Sequence, residues 1–156
     1  MTNKYYDACL FGNALNSAHA CNEGCFRFVT VDSIDWNITC CPEIVLTEFP
    51  SIREFFEQFF VYCALSGIVY RHVTLAEAKS TSKIYRPHKR PLNRLGFRGN
   101  DWNHLMAAVS EQCDEIITTD EDFFDPSNKI NPGAAKKGKK VSNYIKEYFN
   151  ITIVMP

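Results

Sequence analysis

Asn100-Asp101-Trp102-Asn103-His104-Leu105-Met106-Ala107-Ala108-Val109 and, a few residues on, Asp114-Glu115-Ile116-Ile117-Thr118-Thr119-Asp120-Glu121-Asp122-Phe123-Phe124 carry most of the information in this chain. In the first half Trp102, Leu105, Met106, Val109 and Cys113 fall at helical spacing, which predicts one apolar stripe. Asn100 is placed to cap that helix, and Asp101 then lies at its positive end. The second half is a short apolar strand, Glu115 to Thr118, running into Asp120, Glu121 and Asp122. Open α/β sheets put ligand sites at such strand ends. One carboxylate opens a helix and another closes the next strand, so a short helix-to-strand unit can bring the two together. Converging carboxylates need a cation between them, or one must stay protonated.

Upstream the same alternation continues. Tyr5-Tyr6 followed by Asp7 reads as the end of a first strand, with Leu10, Phe11, Ala14, Leu15 and Ala18 as a helical stripe after it. Phe26 to Val31 is apolar enough for a strand. Ile38 to Cys41 reads as extended, and Pro42 suits the first position of a short helix that ends near Glu48. Ser51 is expected to cap the next helix, whose Ile52, Phe55, Phe56, Phe59, Phe60 and Cys63 form a core stripe ended by Gly67. Ile68 to Val73 reads as a strand, and Thr74 with Glu77 forms a capping box for a helix reaching Ile84. Pro87 to Gly99 reads as a basic loop, as does the Pro-, Gly- and Lys-rich stretch Asp125 to Lys140. Val141 to Phe149 is a last helix and Ile151 to Met155 a last strand. The expected fold is α/β, a three-layer α/β/α arrangement around a mostly parallel sheet of four to five strands, in a single domain over 1–156 with basic loops near 86–99 and 126–140.

Composition excludes several classes. At 156 residues the chain can bury a real core, and its 46% hydrophobic content fits a globular protein. No apolar run is long enough to span a bilayer, and Met1 to Asp7 lacks the apolar core of a signal peptide, so a cytoplasmic location is expected. The seven cysteines are odd in number and read as buried thiols. A zinc reading of His19, Cys21, Cys25, Cys40 and Cys41 lacks the Cys-x2-Cys spacing. The net charge of −1 hides segregation: seven basic residues and no acid lie between Glu77 and Asp101, and six between Asp125 and Glu147. Basic segments flanking an acidic cluster suit a polyanion held beside a metal-binding pocket.

Four places in the chain resemble the PIN domain, the metal-dependent nuclease fold of toxin–antitoxin ribonucleases. Tyr6-Asp7-Ala8-Cys9-Leu10 resembles the Asp that closes its first strand, and Pro42-Glu43-Ile44-Val45-Leu46-Thr47-Glu48-Phe49 the Glu after an apolar helical run. Asp101-Trp102-Asn103-His104-Leu105-Met106-Ala107-Ala108 resembles the Asp that opens a helix continuing with His-Leu and alanines. Thr118-Thr119-Asp120-Glu121-Asp122-Phe123 resembles its Thr-x-Asp-x-Asp-Phe strand end. Cys9 departs from the pattern, standing where the family usually has Asn or Ser.

The resemblance implies a metal-dependent endoribonuclease that hydrolyses RNA phosphodiester bonds, with the toxin of a toxin–antitoxin pair as one role. Asp7, Glu48, Asp101 and Asp120 are the expected catalytic acids, and Asp7, Asp101, Asp120 and Asp122 the expected ligands of Mg²⁺ or Mn²⁺. Thr118, Thr119, Arg90, Arg94, Arg98, Lys137 and Lys139 are the expected substrate contacts. Tyr85, Phe97 and Trp102 are candidates to stack on unpaired bases, although Trp102 also belongs to the core stripe. His104 reads either as a substrate contact or as a packing or capping residue of its helix. The implied partners are RNA, an antitoxin-like protein inhibitor and a second copy of the chain. The alternative is the same fold without catalysis, a PIN-like RNA- or protein-binding module. A haloacid-dehalogenase phosphatase would need a second Asp where Cys9 stands, and no strand offers the phospho-acceptor pattern of a receiver domain.

Overall fold

The first strand, β1 (Thr2–Tyr6), lies at the centre of a parallel sheet and is flanked by β2 (Trp36–Cys40) and β4 (Glu115–Ile117). With β3 (Tyr70–His72) and β5 (Thr152–Val154) at the edges, the strand order is β3-β2-β1-β4-β5. All four pairings are parallel. The computed structural model describes residues 1–30, 34–124 and 141–156. Eight α-helices flank the sheet among these residues: α1 (Ala8–Ala14), α2 (Asn22–Thr30), α3 (Pro42–Glu48), α4 (Arg53–Leu65), α5 (Leu75–Ile84), α6 (Arg86–Arg94), α7 (Asn100–Ser110) and α8 (Val141–Phe149). The chain is thus a three-layer α/β/α protein with an all-parallel sheet. No described helix is long and apolar enough to cross a membrane.

Strand alternation divides the core in two. Tyr5 and Ile116 face the layer built by α5 to α8, with Leu92, Phe97, Trp102, Leu105, Met106 and Ile145. Tyr6 and Ile117 face the layer built by α1, α2 and α4, with Leu10, Phe11, Phe56, Phe59 and Phe60. Both strands are buried on both faces, as expected of a parallel sheet with helices on each side. Ile44 and Val45 of α3 enter opposite layers, so this helix closes the sheet where the strands end.

Local signals explain most boundaries. Pro42 opens α3, and Gly67, at φ +70°, follows α4. Thr74 and Glu77 make the capping box in full, with Glu77 N donating to Thr74 Oγ1 at 3.1 Å and Thr74 N to Glu77 Oε2 at 2.9 Å.

Four expectations need correction. The strand expected over Phe26 to Val31 is not found among its described residues: residues 22–30 form α2, which buries Cys25 and Val29 one turn apart, and Val31 lies outside the described residues. Pro87 to Gly99 is not a loop throughout, because Arg86–Arg94 is helical. Burial of Leu92 and a 2.8 Å hydrogen bond between His88 Nδ1 and Tyr144 Oη hold α6 against α8 despite Pro91. Ser51 does not cap α4: it lies in a 3₁₀ turn, Pro50–Ile52, that leads into the helix. Gly99 rather than Asn100 precedes α7, at φ +66°, a backbone state in which any Cβ is strained. The basic stretch near 126–140, with Lys137 and Lys139, lies outside the described residues.

Candidate active site at the ends of β1 and β4

β1 has one neighbour reached through the first half of the chain and one reached through the second. That makes the gap between β1 and β4 the point where the strand order reverses, and such sheets bind ligands beyond the carboxyl ends of those strands. Asp7 follows β1 directly. Asp120 follows β4 by three residues, Asp101 enters on the first turn of α7, and Glu48 ends α3.

Asp7 is 3% exposed, and its two oxygens are fully engaged. Oδ1 accepts Ala8 N at 2.8 Å, the cap bond of α1, and faces His104 Nε2 at 2.9 Å. Oδ2 accepts Thr118 Oγ1 at 2.6 Å and Cys9 Sγ at 3.0 Å. Burial alone would raise the Asp7 pKa. The His104 charge and the hydrogen bonds from His104, Cys9 and Thr118 outweigh it and bring the carboxyl down to about 2. The converse holds for His104. Burial disfavours its charge, yet Asp7 and then Glu48 raise the imidazole to about 10. Its Nδ1 meets Tyr5 Oη at 2.7 Å, and its Nε2 also lies 3.3 Å from Glu48 Oε2.

Asp101, Asp120 and Asp122 form a second group, with one oxygen from each within 4.8 Å of the others. Asp120 accepts Asp122 N at 2.9 Å, which bends the chain back after β4. Burial, then the charges of Asp120, Asp7 and Asp122, push the Asp101 carboxyl up to about 8, with His104 pulling the other way. Burial also raises Asp120, and the Asp122 and Asp7 charges add to it. Each of the two carboxyls thus senses Asp7, so the two groups share one electrostatic neighbourhood. Three hard oxygen donors that cannot all ionise unaided are a donor set suited to Mg²⁺ or Mn²⁺.

The expected acids therefore converge, but in two groups rather than one. Asp7 and Glu48 cluster with His104, and Asp101, Asp120 and Asp122 cluster together. Thr118, expected at the substrate, is instead fully buried; it donates to Asp7 and accepts Asp120 N at 3.0 Å. Thr119 accepts from Asn13 Nδ2 at 2.8 Å. Cys9 fills the place of a small polar residue, since its thiol donates to Asp7 and its sulfur accepts Thr119 N at 3.3 Å. Arg90, Arg94 and Arg98 are exposed. Phe97 and Trp102 are buried, Phe97 against Phe123 and Trp102 with its indole N–H on Ser82 Oγ at 2.7 Å, so neither is available to stack on bases. His104 is buried as well, which rules out the substrate contact but not a role in the site. Its position three residues after Asp101 on one helix was the available signal. Tyr5 carried no such signal. The cysteines are free among the described residues, and none joins a metal-holding group.

No family model, curated protein or solved structure matches this chain. Its function is therefore read from its own residues.

Proposed function

We propose that this protein is a PIN-type endoribonuclease dependent on Mg²⁺ or Mn²⁺. The observation that carries the reading is the convergence of five acids from four separate elements at the switch point of a parallel sheet. Asp101, Asp120 and Asp122 are the residues that would hold the ion. Bound there, the ion would supply an acidified water and charge neutralisation at the scissile phosphate. Glu48, the most exposed of the five acids, would orient an attacking water; its carboxylate is held at Oε2 by His104 and at Oε1 by Asn100 Nδ2 at 3.4 Å. Asp7 fixes the ends of β1, β4 and α7 relative to one another through Thr118 and His104. The exposed side chains of Lys79, Lys83, Lys89, Arg90 and Arg98 on and around α5 and α6 offer phosphate contacts without base preference. RNA as substrate, a toxin role, an antitoxin-like inhibitor, a homodimer and a cytoplasmic location belong to the same proposal.

A non-catalytic PIN-like module is the second reading, and the saturation of Asp7 by four donors favours it. One comparison separates the two. The folded chain and its Asp101→Asn variant are incubated with structured RNA in Mg²⁺, in Mn²⁺ and in chelator. The nuclease reading expects cleavage that needs metal and is lost in the variant. RNA or protein binding without cleavage in either protein supports the module instead.

A further inference from the structure

Asp7 has no acceptor site left. A carboxylate offers about four lone-pair positions, and Asp7 uses them on Ala8 N, His104 Nε2, Thr118 Oγ1 and Cys9 Sγ. Three of these donors are fixed by a second bond or by the backbone. Ala8 N is the cap of α1, Thr118 Oγ1 also receives Asp120 N, and Cys9 Sγ also receives Thr119 N. His104 is fixed as well: its other ring nitrogen is bonded to Tyr5 Oη, and the ring is 1% exposed. Its Nε2 points between Asp7 and Glu48, where a cation shared by those two carboxylates would sit.

We propose that His104 is a positioning residue that takes the place of a second cation, so that Asp7 orients the site while the metal is confined to Asp101, Asp120 and Asp122. The proposal rests on the nuclease reading for the presence of a metal, and adds that one ion binds and that Asp7 is not its ligand. The requirement is positional: the Nε2–H of His104 fills the space between Asp7 and Glu48 and uses the Asp7 acceptor position that a metal would need.

The test is a Mn²⁺ titration, followed by calorimetry and by the electron paramagnetic resonance of bound Mn²⁺, on wild type and on the Asp7→Asn, Asp120→Asn and His104→Ala variants. Circular dichroism and a thermal melt check that each is folded. Wild type is expected to take up one ion. Asp120→Asn should lose it. Asp7→Asn should keep it with affinity reduced by no more than about tenfold, the lower end of what an outer-layer change costs. His104→Ala should gain a second ion on Asp7 and Glu48. Should His104→Ala fail to fold, the Asp7→Asn and Asp120→Asn comparison decides alone. Two ions in wild type, or loss of Mn²⁺ in Asp7→Asn to the same degree as in Asp120→Asn, overturns the assignment while leaving the nuclease reading intact. No Mn²⁺ binding by wild type overturns both.

Discussion

His104 Nε2 and Asp7 Oδ1 lie 2.9 Å apart with side chains only 1% and 4% exposed, so an ion pair sits inside the core of this protein. Burial works against both charges, and their mutual attraction prevails, holding Asp7 down at about 2 and His104 up at about 10. The Asp7 contribution to stability is present above the ordinary carboxylate range and is lost as pH falls through about 2. The His104 contribution is present below about 6.5 and is lost as pH rises through about 10. Removing one partner leaves the other charge buried, so His104→Ala should cost about 3–5 kcal/mol near neutral pH. Urea denaturation of both proteins measures it, and the gap between them should narrow as pH approaches the upper limit.

Asp101 behaves in the opposite sense. Its folded-state pKa of about 8 stands above the ordinary 3.8, so the folded chain holds a proton that the unfolded chain has released. Stability of the metal-free protein should therefore fall as pH rises from about 4 through about 8. Thermal melts in chelator across that range should show the decline in wild type and a flatter profile in Asp101→Asn. Added Mn²⁺ should raise the melting temperature more at pH 8 than at pH 6, because it displaces that proton. An equal rise at both values would argue against a site on Asp101.

Gly99 sets how the chain enters α7, two residues before Asp101. A Cβ there would meet nothing within 4 Å, so the cost of Gly99→Ala is backbone strain at φ +66° alone. That strain is about 1–3 kcal/mol. Chemical denaturation would show it, and a cost near zero would mean that the turn relaxes without penalty.

Arg90 and Arg98 are exposed and lie outside the acidic groups. Arg90→Glu with Arg98→Glu should weaken RNA binding and flatten its dependence on log salt by about 0.7 for each single-strand phosphate that the protein no longer neutralises. Fluorescence anisotropy at several salt concentrations reads both effects. Unchanged slope and affinity would move the RNA path away from α6.

Much of this architecture is legible in the residue order because helices with broad apolar faces announce themselves. The stripe of α7 and the aromatic face of α4 are seen directly, and so are the acids placed where elements begin or end. What escapes is short and lightly anchored. α2 contains Phe26, Phe28 and Val29, which suit a strand, and buries only Cys25 and Val29, too few for a helical period to stand out. α6 carries two prolines and buries Leu92 alone, so its helicity depends on α8, a partner far along the chain. The site divides in the same way. Asp7, Glu48, Asp101, Asp120 and Asp122 are recognisable by position, whereas the role of His104 depends on Tyr5 and Asp7, which come from the far end of the sequence. Spacing along one helix says which residues share a face, not what that face meets.

The bond from Thr118 Oγ1 to Asp7 Oδ2 joins residues 111 positions apart. Synthesis runs from the N-terminus at about 5–20 residues per second. Asp7 leaves the ribosome well before β4 and must wait for it before its surroundings exist. Until residue 104 has been made, the nascent chain carries a carboxylate with neither its threonine nor its histidine. Any activity at this pocket is therefore withheld until β4 has been made.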